Sequence, residues 1–203
     1  MKKPFASVSI FGSSLVTLLI ALLFSFDVSA QSIRGFIRMN TDGEAFLEVA
    51  PTATTYRLLT TSSLVANDLR NLKQGDFLVA RGSLDEAQNI AFVDTIETVG
   101  LANLIGAWQS GTTRVYDFED FSRLNLYKAT QDPKGVILSK LREMNYLIAP
   151  ESGGRYSIFM SDNRSVQIGF LDFTASGVEL SVIDPKTGRV SEHISLSPIP
   201  VVQ

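Results

Sequence analysis

Apolar and polar positions follow one rhythm before a single tryptophan and another after it. Ile33, Ile37 and Met39 share one parity while Arg34 and Arg38 take the other, which is the pattern of a half-buried strand. Asn40-Thr41-Asp42-Gly43 is turn chemistry. Ala45, Leu47 and Val49 then alternate with Glu44 and Glu48, and residues 56–60 predict a third short strand. The period then lengthens. Ser62 or Ser63 caps an expected helix with Leu64, Val65, Leu69 and Leu72 on one face, and Gln74-Gly75-Asp76 ends it. Strands are expected again over residues 77–84, with Gly82 a candidate bulge, and over residues 90–97.

Residues 101–110 hold the only tryptophan, Trp108, and open the second half. Residues 114–118 and 123–128 alternate cleanly around a polar Glu119-Asp120 corner. Asp132-Pro133 then reads as the N-cap and first turn of a helix. Its apolar face would be Ile137, Leu138, Leu141 and Met144, with Lys140 and Arg142 toward water. Strand patterns return over residues 146–148, 155–160, 166–170, 178–183 and 190–196, separated by Gly-, Asn- and Asp-rich turns. The tail from Ser197 to Gln203 is apolar and proline-flanked with no evident element to join, which suggests docking or strand addition.

These elements predict a mainly β protein. It would have an N-terminal leader over residues 1–30, a small β-barrel with one helix over 31–100, and a second antiparallel barrel or sandwich with one helix over 101–203. Three strands, a helix and two strands, with Leu72-Lys73-Gln74-Gly75-Asp76-Phe77 leading into the fourth strand, resemble a bacterial OB-fold domain. Ile105-Gly106-Ala107-Trp108 followed by Tyr116-Asp117-Phe118 resembles the opening of a lipocalin-like domain. That resemblance implies an indole packed across a barrel floor and makes Trp108, Tyr116 and Phe118 the candidate ligand contacts. The same three residues also read as core, with Gly106 permitting close backbone approach. The Thr-Asp-Tyr motif and closing arginine of that family are missing, so a filled barrel stands beside an open one as an expectation.

Composition adds a compartment. Met1-Lys2-Lys3, the apolar run from Leu15 to Phe24 and the small residues Val28-Ser29-Ala30 read as a secretory signal peptide. An uncleaved anchor over residues 8–26 is the rival, and it is the one route to a membrane partner. The expected place is therefore periplasmic or extracellular. Losing residues 1–30 takes the 18 cationic and 21 acidic side chains to 16 and 20, a formal charge of −4. Residues 31–100 carry six Lys or Arg against nine Asp or Glu, which disfavours a nucleic-acid partner even though Phe36, Phe46, Tyr56, Phe77 and Phe92 supply aromatics. Arg34, Arg38, Arg57 and Arg81 are the candidates for a small anion-binding cluster on one sheet face. There is no cysteine, hence no disulfide framework, no thiolate metal site and no lipid-bearing residue.

Candidate chemistry is sparse. His193 is the only histidine, on an alternating strand with Ser191 and Ser195. No nucleophile elbow, zinc-binding helix or P-loop motif is present, so no cofactor is expected. Asp117, Glu119 and Asp120 form the densest carboxylate group. The expectation is an exported, non-enzymatic binding protein for a small apolar molecule or an envelope protein. The alternatives are a structural or assembly component of the envelope and a hydrolase with an acidic site.

Overall fold

The computed structural model describes residues 30–50, 52–133, 135–151 and 154–199. The signal-peptide reading falls on residues outside this set. The chain forms two closed β-barrels, of five and eight strands, with one α-helix among the described residues.

The first barrel contains β1 (Gln31–Met39), β2 (Ala45–Val49), β3 (Thr54–Leu59), α1 (Ser63–Asn71), β4 (Phe77–Asp85) and β5 (Ile90–Gly100). Its strands run β1-β2-β3-β5-β4 and close through β4 on β1; β3 with β5 is the parallel pair. Alternation sends Ile33, Ile37, Leu47, Tyr56, Leu78, Ala80 and Val93 into the core. Gly82 does sit at a register shift between β4 and β5, and a Cβ there would meet the Phe92 carbonyl oxygen at 1.8 Å. The bulge bends β4 so that it can serve two neighbours.

Helix α1 plugs one end of this barrel. Ser62 is its N-cap, accepting from the Val65 N–H at 3.3 Å, and Val65, Leu69 and Leu72 are buried. Leu64 departs from expectation. It lies in the row of Asp68, one turn along, and is 72% exposed rather than part of the apolar face.

The second barrel is an up-and-down meander: β6 (Gly106–Ser110), β7 (Arg114–Phe118), β8 (Arg123–Asp132), β9 (Gly135–Pro150), β10 (Tyr156–Ser161), β11 (Val166–Thr174), β12 (Gly177–Ile183) and β13 (Val190–Pro198). Every strand pairs antiparallel with the next, and β13 closes on β6. Closure rests on Ser197 opposite Gln109, Pro198 opposite Trp108, and the Ile199 N–H donating to the Ala107 carbonyl at 3.0 Å. The start of the apolar tail is thus used within the barrel, contrary to the docking role expected for it.

The expected second helix does not form. Residues 135–150 are one long strand, β9, joined to β8 by a tight hairpin turn with Gly135 at φ +138°. Asp132-Pro133 opens that turn instead of capping a helix. Ile137, Leu138, Leu141 and Met144 mimic helical spacing because a bulge opposite Leu126/Tyr127 leaves Leu141 out of the ladder and breaks the alternation by one residue.

The two barrels pack on each other. Leu101, which precedes a turn of 3-10 helix over Ala102–Leu104, and Leu104, which ends it, join both interiors into one buried cluster. Phe36 and Phe77 of the first barrel meet Phe121 of the second at ring-centroid distances of 6.1 and 6.0 Å. Gly100 makes room for this ring: a Cβ there would lie 2.6 Å from Phe121 Cγ. Asp76, fully buried, adds a polar clamp. Its Oδ2 accepts from the Lys73 N–H at 2.7 Å and its Oδ1 from the Ala102 N–H at 2.8 Å. Burial raises the Asp76 pKa, opposed in part by those two backbone bonds and by Lys73.

Candidate binding site

Strand alternation fixes what the second barrel encloses. Trp108, Tyr116 and Leu126 share one layer across β6, β7 and β8, and Gly106, Phe118 and Leu124 the layer beside it. The Phe118 layer is solid: Phe118 packs edge-on against Tyr146 at 5.3 Å between centroids. Trp108 is buried and its Nε1–H donates to the Leu104 carbonyl at 2.7 Å, so the barrel is plugged where the first barrel joins it. Gly106 contributes through its backbone at φ +123°. A Cβ there would meet open space, so close approach is not its role.

Toward the opposite end the filling stops. A cavity of about 190 Å³ has apolar walls that include Leu126, Met144, Met160, Leu180, Val182 and Ile194. Tyr116 borders it, whereas Trp108 and Phe118 lie in the packed core. Arg114, Arg142, Gln167 and Glu192 complete its lining with polar groups. Arg114 Nη1 donates to Glu192 Oε1 at 3.2 Å. Burial raises the Tyr116 phenol pKa and the neighbouring Arg114 only partly offsets this, so the ring enters the site as a neutral hydroxyl. Arg142 is fixed from outside: its Nε donates to Asp162 Oδ2 at 2.9 Å and its Nη2 to Ser165 Oγ at 2.7 Å. The Arg142 side chain, with the Arg164 and Ser165 N–H groups that donate to Asp162 Oδ1, holds Asp162 well below the usual carboxylate range. Chemically the site is a small hollow of mixed character, with apolar walls and a rim of charged and amide groups.

Of these lining groups, Tyr116 alone was a site candidate from sequence. A signal for two others lay in parity, because Arg114 shares the inward row of Tyr116 and Glu192 that of Ile194. Met144 and Arg142 fall in the stretch whose pattern predicts a helix, whereas β9 carries both to the cavity.

The other candidates separate. Arg38, Arg57 and Arg81 each face a carboxylate (Glu48 at 2.5 Å, Glu44 at 3.9 Å and Glu97 at 2.6 Å), so they do not assemble an anion site. Asp120 is an intraloop acceptor for Ser122 and Arg123, and Glu119 pairs with Arg123 at 3.2 Å. Burial works to raise the Asp120 pKa, but the Arg123 side chain and the loop donors outweigh it and bring it down to about 2. His193 is exposed with Nδ1 3.0 Å from Ser181 Oγ, on the solvent face of two adjacent strands. Among the described residues no group of three or more His, Asp or Glu is arranged to hold a metal ion, and no helix is long and apolar enough to cross a membrane. Comparison with protein-family models, with curated proteins and with solved structures finds no match to this chain.

Proposed function

We propose that this chain is an exported, non-enzymatic binding protein of the cell envelope, built from an OB-like module and a lipocalin-like barrel, and that the second barrel receives a compact ligand. One observation carries the reading: the interior of that barrel is solid around Phe118 and hollow beside Tyr116, with apolar walls and a rim of charged and amide groups. Volume sets the ligand class. About 190 Å³ is below the range of ~300–1,000 Å³ typical of drug-sized ligands but above the ~150 Å³ of a cavity that takes benzene. The ligand is therefore a single-ring or short-chain molecule with a polar head facing Arg114 and Gln167, not a lipid.

Methionine methyl NMR tests this. Met144 and Met160 line the cavity, while Met39 lines a separate hollow of about 430 Å³ in the first barrel and reports any binding there. Titrating benzyl alcohol is expected to shift the Met144 and Met160 signals, to leave Met39 in place, and to have no effect in a Leu180→Phe variant. Uniform shifts, or none, refute the reading.

A second reading, an assembly component, is favoured by the seam between the barrels. Phe36, Phe77, Phe121 and Leu147 line an open groove of about 320 Å³, and Phe36 and Leu147 are exposed. Light scattering of wild type against a Leu147→Glu variant addresses it, with a complex lost in the variant as the supporting result. Deleting the tail is unsuitable, because residues 197–199 close the barrel.

A further inference from the structure

The hairpin of β8 and β9 extends past the wall of its barrel. β7 pairs with β8 only as far as Lys128, and β10 with β9 only from Asn145, so the rungs Gln131/Val136 and Thr130/Ile137 have no third strand beside them. Most two-stranded ribbons are polar on at least one face. Apolar side chains stand on both faces near the tip: Val136 and Leu138, beside Ala129, on one face, and Ile137 on the other, which it shares with Thr130 and Ser139. Val136, Ile137, Leu138 and Leu141 are all more than half exposed. A partner surface laid against the ribbon would cover one face and leave the other wet. A medium that surrounds the tip covers both.

Charge placement selects that medium. Lys128 and Lys140 occupy the two rungs directly behind Leu138, one lysine on each face. Residues 126–143 carry four cations against two carboxylates, within a chain that is acidic as a whole; Lys140 pairs with Glu143 at 2.6 Å and Arg142 with Asp162, and outside those pairs two lysines stand against one aspartate. The apolar rungs from Val136 to Leu138 span about 7 Å at ~3.3 Å per residue, which matches the ~5–10 Å depth reached by interfacial elements. The lysines then lie at headgroup level, with Tyr127 on the same rung as Lys140. Asp132, beside the turn, limits the depth to the headgroup and upper acyl region and argues against a spanning segment.

We infer that the tip of this hairpin docks the protein on an anionic lipid surface, with Val136, Ile137 and Leu138 entering the interface and Lys128 and Lys140 meeting the headgroups. The contact is peripheral and reversible, weakened by salt through its lysines and insensitive to salt through its apolar rungs.

Vesicle flotation tests it with the chain beginning at Gln31, which contains every strand described above and leaves out the N-terminal apolar run. The protein is expected to float with phosphatidylcholine vesicles containing phosphatidylglycerol. Ile137→Glu with Leu138→Glu should lower the bound fraction at least about tenfold. Lys128→Glu should lower it severalfold at low salt and little at high salt. A Leu138→Trp variant should show a blue-shifted emission on vesicle addition that brominated lipids quench. Circular dichroism of each variant should match wild type, because these side chains are solvent-facing. Wild-type protein that stays at the bottom of the gradient, or a double variant that floats as well as wild type, overturns the proposal. Concentration-dependent dimerisation abolished by the double variant, with no flotation, would assign the tip to a second copy and likewise overturn it.

Discussion

Replacing Asp76 tests whether the two barrels behave as one cooperative unit. Its carboxylate is fully buried and receives the N–H groups of Lys73, in the turn before β4, and Ala102, in the link to the second barrel. Asp76→Ala removes both acceptors at once. A hydrogen bond to a charged group contributes about 1.5–3 kcal/mol, and the donors left behind stay out of water, so a loss of about 3–5 kcal/mol is expected. Asp76→Asn keeps one acceptor oxygen but turns an NH₂ toward the other backbone N–H. It also avoids burying a charge, and the expected loss is smaller, about 1–3 kcal/mol. The assay is urea unfolding followed by two signals. Fluorescence of Trp108 reports the second barrel at its seam with the first, while far-UV circular dichroism reports both barrels as wholes. Wild type should give coincident curves, and Asp76→Ala should separate them as the first barrel loosens from the second. The pH dependence carries a definite sign. The folded-state pKa of Asp76 is raised above its usual value, so the native state holds this proton more tightly than the unfolded chain. Its contribution is full below the unfolded pKa of about 3.8 and is lost as pH rises through the higher folded value. That component should vanish in Asp76→Asn. A loss under ~1 kcal/mol in Asp76→Ala with curves still coincident would refute the clamp.

Three further outcomes follow from the same geometry. Trp108→Phe should cost about 1–3 kcal/mol, through the lost bond to Leu104 and the volume left unfilled, as read by urea denaturation with circular dichroism. Gly82→Ala should cost more than about 2 kcal/mol, since the new methyl meets backbone rather than a movable side chain, and its midpoint in thermal melts should fall accordingly. Asp120, with its pKa lowered to about 2, stabilises the fold above its unfolded value and loses that contribution as pH falls through about 2. The loop is exposed, so acid titration of wild type against Asp120→Ala should differ by only about 1 kcal/mol.

How far the sequence could be read depends on whether a face is buried. Strands with one wet and one dry side, such as β1 with Arg34 and Arg38 opposite Ile33 and Ile37, carry their register in plain alternation. The bulge at Gly82 was legible because glycine is costly inside a strand without such a reason. The β8–β9 hairpin was not legible. Its outer rungs face solvent on both sides, so nothing enforces a period of two, and the bulge beside Leu126 shifts the one dry row by a residue. Leu64 misled for a related cause, being an apolar residue on a wet helix face. The cavity beside Tyr116 was out of reach because its lining comes from most of the strands of the second barrel, and only closure brings Arg114 to Glu192.

The closing seam between β13 and β6 constrains how the protein is made. A meander whose first strand waits for its last cannot complete its wall while the chain is still emerging from a ribosome. Until Ser197 and Pro198 arrive, the edges of β6 and of the growing sheet are both open to stray pairing. The first barrel has no such delay, since β4 returns to β1 within the first half of the chain. Synthesis therefore delivers a finished module first and an open sheet second, with the neighbour already in place to shield Trp108 and Leu104. A frayed final strand would expose this protein to aggregation far more than an equal disturbance near residue 31.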